Sequence, residues 1–139
     1  MKLSSRGRYG LRLLIDLMEH PNESSLTAVS EREGISLRYL EQLAMILKRS
    51  GFIRAVRGAA GGYILAKPAD EIILADVLSM LEGDILVADP AMSGERETKI
   101  QRCIRLMVLD KLNTKIVQVL ENKTLASLAG NHETAMYYI

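Results

Sequence analysis

Apolar residues return every three or four positions through the first fifty residues of this chain, and the pattern breaks where helix-ending residues fall. Leu11, Leu14, Ile15 and Met18 predict a first helix from about Ser5 to Glu19, with Ser4 or Ser5 capping its start and Pro21-Asn22 beyond its end. Ser24-Ser25-Leu26 reads as a short extended piece. Thr27 is placed to cap a short helix, Ala28 to Glu33, which Gly34 stops. Ser36 is a good N-cap for a third helix. Its buried face is predicted to carry Leu37, Leu40, Leu43, Ala44 and Leu47, and Gly51 closes it. Two such helices joined by a glycine-containing turn form a helix-turn-helix unit.

The period then changes to two. Phe52 to Arg57 and Tyr63 to Ala66 alternate as strands do, and the glycine-bearing linker Gly58 to Gly62 makes them a hairpin. Gly61-Gly62 is expected to adopt positive φ and to let the backbone approach another surface closely. Pro68 marks the exit from this unit. Ile72-Ile73-Leu74 leads into a helix from about Ala75 to Leu81, stopped by Gly83. Asp84 to Thr98, with Pro90, Ser93 and Gly94, reads as a loop.

A long helix from about Glu97 to Glu121 follows. Ile100, Ile104, Met107, Val108, Leu112, Ile116, Val119 and Leu120 form a broad apolar stripe along it. At 1.5 Å per residue it is about 37 Å long. A head this small cannot cover that length, so the expected cover is a second copy in a homodimer. Thr124 to Ala129 reads as a last short helix, and the tail from Asn131 to Ile139 is expected to be mobile. The fold class predicted is mainly α with a small β-hairpin. It divides into a winged helix-turn-helix domain (1–68), a dimerisation region with the long helix (69–130) and a C-terminal tail (131–139).

Charge sharpens this division. Residues 1–68 hold 11 Lys and Arg against 6 Asp and Glu, a net of +5; residues 69–139 hold 7 against 11, a net of −4, which recovers the chain's +1. A cationic front half suits a nucleic-acid partner. The 139 residues make one ordinary domain, or a small one with an appendage. No apolar run approaches the ~20 residues that cross a bilayer, and no secretory signal is legible, so no membrane partner and a cytoplasmic location are expected. The one cysteine, Cys103, cannot form an internal disulfide.

A short polar helix followed by a basic, glycine-rich hairpin points to double-stranded DNA. Arg38, Tyr39, Glu41 and Gln42 sit at or near the N-terminal turns of the third helix, where recognition helices present side chains to base edges. Gln pairs with adenine, Glu accepts from the cytosine amino group and Arg forks to guanine. A carboxylate close to phosphates weakens affinity, so Glu41 is expected to serve selectivity. Arg57, with Gly58, Gly61 and Gly62, would form a wing at the minor groove. Arg6, Arg8, Lys48, Arg49 and Arg54 are candidates for phosphate contacts. Each of these charges could instead be plain solvated surface. The arginines at the start of the first helix oppose its dipole, which suggests placement for a partner.

The glycine loop is not a nucleotide cradle, because no Lys-Ser/Thr follows it and the next element is a strand. His20 and His132 have no Cys, Ser or carboxylate constellation around them in the sequence, so an enzyme is not expected.

Three motifs carry a resemblance. Met1 to Gly10 (MKLSSRGRYG), Ser36 to Leu43 (SLRYLEQL) and Val56 to Tyr63 (VRGAAGGY) resemble the IscR/CymR-type family of bacterial winged-helix transcriptional regulators, and Leu81-Glu82-Gly83 and Thr124 to Leu128 also fit. The likeness spans about residues 1–129. It implies a homodimer on a pseudo-palindromic operator, joined through the long helix, and adds Tyr9 of the opening motif to the DNA-binding set.

Cluster-binding members carry three cysteines in the loop before, and at the start of, the long helix. Here only Cys103 stands in that region, and Asp84 to Arg102 holds neither Cys nor His. No cofactor and no metal site are therefore expected, and Cys103 is expected to be a small buried apolar residue.

The end, Met136-Tyr137-Tyr138-Ile139, is similar to the cysteine-metabolism branch of the family, the CymR branch. Its repressors partner a cysteine synthase, an enzyme that binds peptide tails ending in isoleucine. The resemblance thus implies Tyr137, Tyr138 and Ile139 as partner-binding residues, with carboxylate capture as the mechanism. A tail packed on its own dimer is the alternative. Two other functions stay open: a redox-, iron–sulfur- or metal-responsive regulator using Cys103, and a protein-interaction module that does not bind DNA.

Overall fold

The computed structural model describes residues 2–59, 61–88 and 96–129. The tail expected to be mobile, with Tyr137, Tyr138 and Ile139, lies outside the described residues, as does the middle of the 84–98 loop.

The architecture is mainly α with one two-stranded antiparallel sheet, as the sequence predicts. Helix α1 (Ser5–Glu19) starts where expected, but the Ser4 hydroxyl makes no bond to its own helix. Helix α2 (Leu26–Glu33) begins two residues earlier than predicted. Ser25, not Thr27, is the cap: its side chain accepts from the Ala28 amide, and Gly34 closes the helix at φ 66°. A serine already lies in extended backbone one residue before the first helical turn, which leaves Thr27 free to join the helix. Helix α3 (Leu37–Arg49) is capped by Ser36, whose side chain accepts from the Tyr39 amide.

Leu40, Leu43, Ala44 and Leu47 are buried as predicted, but Leu37 is 40% exposed. Leu37 stands at the helix start, on the flank of the apolar stripe, where none of the described elements closes over it.

Strands β1 (Ile53–Val56) and β2 (Gly62–Leu65) pair with Ile53 opposite Leu65 and Val56 opposite Gly62. Phe52, Arg57 and Ala66 fall just outside this ladder. The segment at Ser24 is tied to β2, because the Tyr63 amide donates to the Ser24 carbonyl at 3.0 Å. A 3-10 turn (Ala69–Glu71) follows, then α4 (Leu74–Glu82), ended by Gly83 at φ 80°.

The long helix is built in three continuous pieces: α5 (Lys99–Ile104), a π-helical stretch (Arg105–Leu109) and α6 (Asp110–Glu121). It starts at a reciprocal capping box between Thr98 and Gln101 rather than at Glu97. Arg105 spans the π-helical stretch, donating to Glu97 at 2.6 Å and to Asp110 at 3.2 Å. The hydrogen bond from Arg105 is the main reason that the Glu97 carboxyl sits below its usual range. Thr124 to Ala129 holds only a 3-10 turn, Ala126–Leu128.

One core runs through the head. It joins Leu13, Leu14 and Leu17 of α1, the apolar side of α3, Phe52 and Ile53, and continues past residue 68 into Ile72, Leu74, Val77, Leu81 and Leu125. Leu125 reaches it because its amide donates to the Ile72 carbonyl at 2.8 Å, while the Leu74 amide donates to Lys123 at 2.9 Å. The far end of the long helix is thereby stitched to the start of α4.

An ion pair between the half-buried Arg32 and the buried Asp16 fixes α1 to α2. Arg32 Nη2 lies 2.6 Å from Asp16 Oδ1, its Nε donates to Oδ2 at 3.0 Å, and the Asp16 side chain is 3% exposed. By contrast, α5, the π-helical stretch and α6 contain no buried residue. Among the described residues no helix is long and apolar enough to cross a membrane.

Candidate nucleic-acid interface

Helix α3 shows two faces because its apolar residues recur at helical spacing. With Leu40, Leu43, Ala44 and Leu47 turned into the core, the opposite side carries Arg38, Glu41, Gln42, Met45, Lys48 and Arg49, all exposed. Lys48 and Arg49 occupy the last turn, about 15 Å along the axis from Arg38, where they also complement the helix dipole. The sequence reading missed Met45. Its position three residues after Gln42 was the available signal.

The start of α1 is brought against the start of α3. Tyr9 and Tyr39 meet edge to face with ring centres 5.8 Å apart, both half-buried. Ser5, Tyr9, Gly34, Ile35, Ser36 and Tyr39 line a shallow cleft between the two helix starts. Arg8 lies over Tyr9 at 5.8 Å, and both Arg6 and Arg8 are exposed.

Arg12 is engaged within the protein instead. It pairs with Glu33 at 3.1 Å, donates to the Glu33 carbonyl, and stacks 5.3 Å from Tyr9. Its place on the first helix is therefore accounted for by α2.

The unfavourable dipole at α1 has a specific answer. One oxygen of Glu82, Oε1, accepts from the Ser4 amide at 2.9 Å, the Ser4 hydroxyl at 2.7 Å and the Gly7 amide at 2.9 Å. A carboxylate from α4 thus supplies the negative charge that the first turn of α1 lacks. Gly7 makes the approach possible, since a Cβ there would stand 2.2 Å from that oxygen.

At the wing, Arg57, Gly58 and Ala59 are exposed, and Gly58 takes φ 120°. Gly61 and Gly62 differ from expectation: neither adopts positive φ, and both are half-buried. The surface they approach is the protein's own. A Cβ on Gly62 would lie 2.2 Å from the Ser24 carbonyl oxygen, and one on Gly61 would lie 2.8 Å from the carbonyl oxygens of Val56 and Gly58. These glycines let β2 pack on the segment before α2 and set the path of the wing. Arg54 is exposed on β1.

This arrangement has known relatives. The model of the Rrf2 family, described as iron-dependent transcriptional regulators, matches residues 3–131. The chain belongs to the Rrf2 family of transcriptional regulators. It is 35% identical to CymR of Bacillus subtilis, with all of both chains covered. It is 37% identical to IscR of Erwinia tasmaniensis, over 96% of this chain and 81% of that protein.

The solved structure of B. subtilis CymR, described as that organism's global cysteine regulator, superposes with a TM-score of 0.75 over 93% of this chain and 96% of the other, at 33% identity. IscR of T. potens superposes at 0.78 over 99% and 97%, at 34% identity. These Rrf2 neighbours are winged-helix regulators, and the family is one of DNA-binding regulators rather than enzymes.

The family description mentions iron, so the donor set matters. Cys103 is the one cysteine of the chain, and among the described residues no three of His, Cys, Asp and Glu converge as metal ligands. Thiolate-held clusters need about four such ligands. The residues present do not fit a cluster of that kind. Cys103 itself is exposed on α5, against the expectation of burial, because none of the described residues covers that helix.

Proposed function

We propose that this Rrf2-family chain is a homodimeric, sequence-specific transcriptional repressor of cysteine or sulfur-metabolism genes, without a cluster of its own. In this reading residues 1–68 read DNA, 69–130 dimerise, and Tyr137, Tyr138 and Ile139 of the 131–139 tail engage a cysteine synthase. The observation that carries it is the exposed face of α3, with Arg38, Glu41, Gln42 and Arg49 in one stripe, together with the exposed Arg57 of the wing. Arg6, Arg8, Tyr9, Tyr39 and Lys48 extend that surface, while Gly58, Gly61 and Gly62 shape the wing.

Dimerisation is supported by the long helix, on which Ile100, Ile104, Met107, Val108, Leu112 and Val119 are between 45% and 74% exposed. An exposed apolar stripe of this length marks an interaction surface. The cysteine assignment draws on the likeness to CymR and on the missing cluster ligands.

Selection of duplexes from a randomised pool tests the core of the proposal. It should enrich a pseudo-palindrome, and Leu112→Glu should leave monomers in sedimentation and abolish the enrichment. Enrichment of single half-sites by a monomer would sink the dimer model. Removing Tyr138 and Ile139 should abolish binding to purified cysteine synthase and spare DNA binding; unchanged synthase binding would remove the tail from the proposal.

A further inference from the structure

We propose that Met45 is a specificity determinant of α3, reading the C5-methyl group of a thymine in the major groove. The inference rests on the DNA-reading role proposed above.

Met45 follows Gln42 by three residues and Glu41 by four, and precedes Arg49 by four, so it lies mid-way along the exposed stripe. The residue is 52% exposed. The next residue, Ile46, packs against the core, and Met45 does not. Among the described residues from Ser5 to Leu65, the large apolar side chains classed as exposed are Leu37 and Met45, and both belong to this helix. Leu37 stands on the flank of the stripe; Met45 occupies its centre.

An apolar side chain central to a polar, charged face has a specific counterpart in the major groove. Base edges there offer hydrogen-bond donors and acceptors, which Arg38, Glu41 and Gln42 can match, and one apolar feature, the thymine methyl. Methionine suits it, being long, unbranched and polarisable. Four residues of helix advance about 6 Å, against ~3.4 Å between bases along a strand. Met45 therefore stands one to two base steps from those facing Glu41. It adds an apolar contact to a set that otherwise reads only hydrogen-bonding groups.

The test uses the full-length protein and a duplex that it selects from a randomised pool. That duplex is resynthesised with deoxyuridine at each fixed thymine in turn, which removes the methyl and leaves the pairing edge intact. At one thymine per half-site, uracil should weaken the wild type about fourfold, the worth of one buried methyl group. Met45→Ala should bind the thymine duplex about fourfold more weakly per half-site and ignore the same replacement. Met45→Leu, which keeps an apolar tip, should retain the preference. Equal responses of wild type and Met45→Ala to every uracil, or selected half-sites without a fixed thymine, would overturn the proposal. Failure to enrich any sequence would overturn the DNA-reading role together with it.

Discussion

Removing the carboxylate of Glu82 should loosen the start of α1, although the two lie more than seventy residues apart in the chain. Glu82 Oε1 accepts three hydrogen bonds, and only that from the half-buried Gly7–Glu82 contact is poorly replaced by water; Ser4 is exposed. A hydrogen bond to a charged group contributes about 1.5–3 kcal/mol, and a charge complementing a helix start adds about 0.3–1 kcal/mol. Glu82→Ala should therefore cost ~2–3 kcal/mol. For a chain of this size that lowers Tm by roughly 10 °C. Glu82→Gln keeps an acceptor oxygen and should lose about 1 kcal/mol, mainly the charge component.

Gly7→Ala is the informative companion. Helix propensity alone would make it stabilising by about 1 kcal/mol. A Cβ placed 2.2 Å from Oε1 forces Glu82 out of its seat, so the variant should instead be destabilised. The assay is thermal and urea unfolding followed by far-UV circular dichroism, at one fixed protomer concentration because dimerisation would shift Tm. If Glu82→Ala unfolds like the wild type, or Gly7→Ala proves more stable than it, the reasoning fails.

Two further outcomes follow from the head. Arg57→Ala should weaken binding to all duplexes and reduce the slope of log K against log salt by about 0.9 if it neutralises one phosphate; an unchanged slope in fluorescence anisotropy would remove it from the interface. Arg32→Ala removes both hydrogen bonds to the buried Asp16 carboxylate, leaving it only His20 at 3.8 Å among the described residues, and should cost about 3 kcal/mol, whereas a loss below ~1 kcal/mol in urea denaturation would show the site to be solvated.

Elements whose causes are local were legible in the sequence. Ser36 caps α3 through an amide three residues on, and Gly34 and Gly83 stop helices through their own φ. The apolar period of three to four was enough to place the α3 core, and it failed only at Leu37, on the edge of the stripe. The one misplaced cap shows the limit of such rules: Ser25 and Thr27 are both good cap residues, and the path of the chain through Ser24, which bonds Tyr63, decides between them.

Non-local causes were not legible. Gly61 and Gly62 carry the usual mark of a permissive loop, yet their requirement comes from Ser24, Val56 and Gly58 lying too close for a side chain. Cys103 is expected to be buried because helix cysteines commonly are; its exposure follows from a helix that none of the described residues covers. The arginines of α1 illustrate the same point most fully. Read locally, arginines at a helix start oppose its dipole and suggest an external partner. The structure divides them, since Arg12 is engaged by Glu33 and Tyr9 while Arg6 and Arg8 remain exposed. The missing acid is present after all, delivered by Glu82 from α4. With that charge supplied from within, what still points Arg6 and Arg8 toward a partner is their exposure beside the Tyr9–Tyr39 junction, where α1 and α3 begin together.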